Sequence, residues 1–145
     1  MGLLSKLSGM VAPARKPTDD VYLTAGMLLM AGADGSLEAA ELATVGTFAT
    51  TLPEFKGKDF RRTVDEAIKA IRKCKSSEEA VGLLSGLSSA NLKRKCYVLC
   101  ADIALSSGDV DEKEDALLSR MQQVLGVDDA TAARIIEVLS MKYAT

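Results

Sequence analysis

The chain has 145 residues, 48% hydrophobic and 26% charged, the size and balance of one globular domain rather than a disordered segment. A formal net charge of -2 excludes general nucleic-acid binding, which draws its affinity from neutralised phosphates. That balance conceals a segregation: residues 56–95 carry 11 Lys/Arg against 5 Asp/Glu, and the rest of the chain 7 against 15.

Residues 1–17 read as an amphipathic segment and linker, and residues 18–145 as a single helical domain. In the segment, Leu3, Leu4, Leu7, Met10 and Val11 stand beside Ser and Lys6, and Pro13 and Pro17 bracket a basic linker. Met1-Gly2-Leu3-Leu4-Ser5-Lys6 misses a myristoylation signal because Lys6 stands where Ser or Thr is required. Such a segment suits a membrane surface or a partner, or packing on its own domain; one or two basic residues attract anionic lipid only weakly.

Thr18 or Asp19 is the expected cap of a helix running through Tyr22, Leu23, Met27 and Met30 to a stop near Asp34-Gly35. A second helix starts around Ser36–Glu38 and carries Leu42, Val45 and Phe48 to Thr51, with Pro53 beyond. From about Asp59 to Cys74, a third places Phe60, Val64, Ala67, Ile68 and Ile71 on one face. Its other face is basic, with Arg61, Arg62, Lys69, Arg72 and Lys73. Ser76-Ser77-Glu78-Glu79-Ala80 opens a short helix that breaks near Gly86. Residues 90–106 form a long helix with Leu92, Cys96, Leu99, Cys100, Ile103 and Ala104 inward. Asp111 and Glu114 resemble a capping box, opening a helix that buries Leu117, Leu118, Met121 and Leu125 and ends at Gly126. Asp128 or Asp129 caps the last, with Ala132, Ile135, Ile136, Val138 and Leu139 inward. No segment has strand periodicity, so the fold class is all-α, a compact bundle of about seven helices.

The commonest general base and soft-metal ligand is missing, since there is no histidine. No serine has an obvious base partner and no phosphate loop occurs, so the chain does not read as an enzyme. The three cysteines, Cys74, Cys96 and Cys100, form no Cys-x-x-Cys pair and read as buried thiols in a reducing cytosol. No apolar run reaches membrane-span length and no signal-peptide pattern appears, which fits a cytoplasmic location.

What stands out is a repeat. Ala33-Asp34-Gly35-Ser36-Leu37-Glu38-Ala39-Ala40-Glu41 is echoed 73 positions later by Ser106-Ser107-Gly108-Asp109-Val110-Asp111-Glu112-Lys113-Glu114. At that offset Met30 lies on Ile103, Gly35 on Gly108, Glu38 on Asp111 and Glu41 on Glu114. Glu38 and Glu41 share a helix face by their spacing, as do Asp111 and Glu114, while Asp34, Asp109 and Glu112 add charge nearby. If the two helical pairs pack with two-fold symmetry, both clusters converge on one surface. Carboxylates without nitrogen or sulfur suit a hard cation, Ca²⁺ or Mg²⁺. The candidate ligands are Asp34, Glu38, Glu41, Asp109, Asp111 and Glu114. The back half of each copy matches an EF-hand loop, but the first ligand position falls on Met30 or Ile103, so neither copy is an EF-hand. Helix capping explains Glu38, Asp111 and Glu114 equally well and Asp34 poorly, because a negative charge at a helix C-terminus is unfavourable. The residues alone leave both readings open.

An apolar helix ending in Ala-Asp-Gly, then an apolar residue and Glu, resembles the TerB-like tellurite-resistance family, as does Cys100-Ala-Asp-Ile-Ala-Leu-Ser-Ser-Gly-Asp-Val-Asp-Glu-Lys-Glu. The resemblance implies an all-helical fold with two pseudo-symmetric halves and an acidic metal-binding surface. It implicates Asp34, Glu41 and Glu114, with Glu38, Asp109 and Asp111 as supporting acids. Ser107 departs from the pattern where aspartate is expected, and Asp102 is a candidate substitute. The resemblance also implies a cytoplasmic stress-response module, docking with other proteins of the tellurite-resistance system near the inner membrane. The family name is not chemistry: tellurite is an oxyanion, which carboxylates repel. An adaptor without functional metal, binding a protein partner or membrane surface through basic helix faces, is the alternative.

Overall fold

The computed structural model describes residues 16–33 and 39–145, with residues 39–41 described by their backbone alone. Among the described residues seven α-helices follow one another: α1 (Asp19–Ala31), α2 (Ala39–Ala49), α3 (Phe60–Arg72), α4 (Ser77–Gly82), α5 (Ala90–Ser106), α6 (Glu112–Leu125) and α7 (Asp129–Tyr143). Short 3₁₀ turns, Pro53–Phe55 and Leu83–Gly86, join α2 to α3 and α4 to α5. Among the described residues there is no strand, as the periodicity predicts.

α1 is buried on nearly all sides, from Asp20 to Leu28 and again at Met30, and packs most extensively on α3 and α5. A helix apolar all round must lie inside. Its fully buried Leu23, Met27 and Met30 each contribute about 1.5–3 kcal/mol by leaving water. Close approach to α5 depends on Gly26, where a Cβ would come within 2.8 Å of Cys96 Sγ. The halves repeat this plan. α1 packs on α2 and α3 as α5 packs on α6 and α7, and α2 and α6 begin 73 residues apart, at Ala39 and Glu112.

Local chemistry sets the helix starts. Asp59, Ser76, Ser89, Asp111 and Asp128 each accept a hydrogen bond from a first-turn N–H of α3, α4, α5, α6 and α7 respectively. Gly126 closes α6 in the left-handed conformation (φ 66°), with Val127 N–H donating to Gln122 O at 3.1 Å.

Three expectations change. α1 ends at Ala31, with Gly32 as its C-cap, rather than near Asp34-Gly35, because Gly32 N–H donates to Leu28 O and Ala33 N–H turns back to Met30 O in a tighter turn. Thr18 is the N-cap residue of α1, but neither it nor Asp19 makes a side-chain cap bond to that helix. Asp19 instead accepts from Ser88 N–H (3.0 Å) and Ser88 Oγ (2.6 Å), fastening the start of α1 beside the start of α5. Val138, expected inside, is 62% exposed, since α7 turns only Ala132 and Leu139 fully inward. The amphipathic segment over residues 3–11 lies outside the described residues.

Candidate metal centre

The ends of the two halves meet at a cleft of about 270 Å³. Met30, Ala31 and Ala33 line it from the end of α1, Thr44 from α2, Ile103, Ser106 and Ser107 from the end of α5, and Asp111 and Glu114 from the start of α6. Two pairs among these, Met30 with Ile103 and Ala33 with Ser106, are separated by the repeat offset of 73. The end of α1 with Ala33 and the second repeat from Ser106 to Glu114 therefore line one concave surface among the described residues.

Asp111 and Glu114 form a reciprocal capping box. Asp111 Oδ1 accepts from Glu114 N–H at 2.8 Å, and Glu114 Oε1 from Asp111 N–H at 3.4 Å. Capping is thus a real role of this pair, and it employs one oxygen of each carboxylate. Gly108 has φ 89°, the left-handed turn that brings the chain from α5 to α6, which gives the repeated glycine its reason here. Ser107 Oγ lies 3.1 Å from Ala104 O and 3.0 Å from Asp109 O, and Ser106 Oγ donates to Ile103 O at 2.7 Å. Both hydroxyl protons point into the backbone, leaving oxygen lone pairs at a cleft already lined by carboxylates.

Of the six candidate ligands, the structure places Asp111 and Glu114 at the cleft. Asp109 is exposed and is not among the lining residues, although its carbonyl shapes the turn. Glu41 lies in the first turn of α2, three residues before the lining Thr44; its side chain lies outside the described residues. Asp34 and Glu38 also lie outside them. Among the described residues no three His, Cys, Asp or Glu gather closely enough to hold a metal ion. Apart from the Met30 thioether, the side-chain donor atoms at the cleft are oxygens, the hard donors that suit Ca²⁺ or Mg²⁺, and two of the described residues are carboxylates.

Asp102 does not replace the missing carboxylate at Ser107. It accepts from Lys142 Nζ (3.0 and 3.2 Å) and Tyr143 Oη, both of α7, away from the cleft. Lys142 also sits 5.4 Å from the Phe48 ring centroid, so the pair ties the end of α7 to α5 and α2. Sequence reasoning likewise missed Asp20, which is 5% exposed. It accepts from Thr18 Oγ1 (2.5 Å) and Thr63 Oγ1 (3.2 Å), with Lys58 Nζ at 3.6 Å, joining α1 to α3. An acid two residues inside a helix start looks like a dipole partner from sequence; nothing local announced Thr63.

Two of the three thiols are sealed in the core, and Cys74 is half-buried. Cys96 and Cys100 are fully buried, and the hydrogen bond with Cys96, reinforced by burial, pushes the Cys100 thiol well above its ordinary value.

A family model described as tellurite resistance protein TerB matches residues 20–137, most of the chain, including both repeats and the cleft. No curated protein and no solved structure matches it.

Proposed function

The chain belongs to the TerB family of tellurite-resistance proteins, and from that premise we propose that it is a non-enzymatic interaction module whose acidic cleft binds a divalent hard cation, Ca²⁺ or Mg²⁺. The observation that carries this reading is the convergence of repeat-related positions, Met30 with Ile103 and Ala33 with Ser106, on one cleft that also holds the carboxylates of Asp111 and Glu114. Asp111 and Glu114 would hold the ion, with Glu41, Asp34 and Glu38 contributed by the first repeat, where Glu41 precedes Thr44 by a same-face spacing. A bound dication would neutralise the carboxylates and brace the ends of α1 and α5 against the starts of α2 and α6. That favours a partner surface which exists fully only in the loaded state. The partners would be other proteins of the resistance system, in the cytoplasm or at the inner-membrane surface. Among the described residues no helix is long and apolar enough to cross a membrane.

The test is titration of Ca²⁺ and then Mg²⁺ into chelator-treated protein, followed by backbone amide NMR. Glu41→Gln, Glu114→Gln and Asp111→Asn serve as controls. Asn and Gln retain the capping roles at Asp111 and Glu114, so these variants remove charge without removing the helix start. Saturable shifts confined to residues 33–41 and 106–114, lost in the variants, support the site. Shifts that follow ionic strength alone would leave the carboxylates as caps.

A second reading has one observation in its favour. Lys69 and Arg72 on the exposed side of α3, and Lys73 just beyond its end, have no ion pair among the described residues, and Arg61 is likewise exposed and unpaired there. This face suits an adaptor that binds an acidic partner or anionic membrane. The other basic stretch, Lys93-Arg94-Lys95, is partly used inside the fold, because Lys95 pairs with Glu54 at 2.5 Å. Salt-sensitive vesicle binding lost on charge reversal at Lys69 and Arg72 would favour this reading.

A further inference from the structure

The group formed by Asp102, Lys142 and Tyr143 lies one helical turn behind the cleft, and on two of its walls at once. Asp102 precedes the cleft residue Ser106 by four positions on α5, and Phe48 follows the cleft residue Thr44 by four positions on α2. Lys142 Nζ reaches both of these rear positions. It donates to the two Asp102 oxygens at 3.2 and 3.0 Å and sits 5.4 Å from the Phe48 ring centroid. Tyr143 Oη donates to the same carboxylate, and its ring centroid lies 5.1 Å from Lys142 Nζ. The Asp102 side chain is only 13% exposed, so water competes little for the bonds that hold the clasp. α2 packs chiefly on α1, within its own half, and more lightly on α5. A bridge from α7 to both α2 and α5 therefore bears directly on the gap between those two helices.

We propose that this clasp is a positioning device for the cleft: Lys142 and Tyr143, anchored on Asp102, set how far the α2 wall stands from the α5 wall. Its bearing on cation affinity rests on the reading given above, in which Glu41 at the start of α2 faces Asp111 and Glu114 at the start of α6. Groups behind a metal site that orient its ligands change affinity by about 10–100-fold when they are removed. Asp102 thus serves the cleft without lining it.

The experiment places a nitroxide on Ala43→Cys, an exposed position of α2, in the full chain with Cys74→Ser, and reads the broadening of amide NMR signals before any metal is added. Lys142→Met removes the cation and keeps an unbranched stem. The expected result is weaker broadening across the cleft, at residues 103–107 and 111–114, with broadening unchanged at residues 27–31 of α1. Lys142→Arg, which can still donate to Asp102 and lie over Phe48, should restore the original pattern. In unlabelled protein, Ca²⁺ affinity should fall about 10-fold in Lys142→Met and recover in Lys142→Arg. Broadening unchanged across the cleft overturns the proposal, as does broadening weakened equally on α1, which marks a general loosening. An unaltered Ca²⁺ affinity in Lys142→Met overturns it too. If the unsubstituted protein shows no saturable Ca²⁺ shifts, the cation reading fails, and the metal-free broadening still decides the clasp by itself.

Discussion

Gly26 sits where α1 packs against α5. A Cβ there would lie 2.8 Å from Cys96 Sγ, 3.3 Å from Cys100 Sγ and 3.5 Å from Leu84 Cδ1. Ordinary contacts lie at about 3.5–4.0 Å, so the added methyl overlaps the Cys96 sulfur by roughly 1 Å. Both cysteines are 0% exposed, leaving the sulfur no open space to enter. Overpacking of this kind costs about 1–3 kcal/mol, against a gain of about 1 kcal/mol in helix propensity when Ala replaces Gly. Gly26→Ala alone should therefore lose between about 0 and 2 kcal/mol, an ambiguous result by itself. A double-mutant cycle with Cys96→Ala removes the ambiguity, because the propensity contribution cancels. Cys96→Ala alone should cost about 1 kcal/mol through its cavity. In the double variant the new methyl occupies the vacated space, giving a favourable coupling of about 1–2 kcal/mol. Urea unfolding followed by far-UV circular dichroism, with equal m-values across the four proteins, measures it. Additivity within about 0.5 kcal/mol would refute the close crossing of α1 and α5.

Other consequences can be checked on the same protein. Asp20→Ala should cost about 2 kcal/mol by removing the buried carboxylate that accepts from Thr18 and the buried Thr63 and faces Lys58, a fall in Tm of about 8 °C. Asp20→Asn should cost less, since its amide oxygen still accepts; equal, negligible effects would dismiss the network. Burial pushes the phenols of Tyr22, Tyr97 and Tyr143 above their ordinary value of 10.0, with the Asp102 hydrogen bond adding to the effect at Tyr143. A raised folded pKa means that their stabilisation is complete below pH 10 and disappears as pH climbs through the folded values. Tyrosinate absorbance, unobscured because the chain lacks Trp, should show midpoints above 10.0 together with falling stability over that range. Midpoints at or below the ordinary value would contradict the packing. Of the three thiols, only the half-buried Cys74 should react with a disulfide reagent in the native state, with Cys96 and Cys100 following on denaturation. Rapid native reaction of more than one thiol would count against the buried pair.

Much of this molecule was determined by the sequence itself. Helix periodicity, the acidic and serine caps, and the glycine stop at Gly126 act through neighbours within a turn, so α3, α5, α6 and α7 lie close to where their residues predict. The repeat announced the two halves, and the match of Met30 with Ile103 foretold which helix ends would share a cleft. The capping box at Asp111 and Glu114 was also legible, because it is closed between residues three apart. Tertiary structure decided what depends on residues far apart in the chain. Asp102, a candidate for the cleft by sequence position, faces Lys142 and Tyr143 because α5 turns that side toward α7. Asp19 leaves its own helix for Ser88, and Asp20 finds Thr63 across the α1–α3 contact. Val138 shares the apolar period of α7 yet faces outward, since a period says which residues share a face but not how wide a face the neighbouring helix covers.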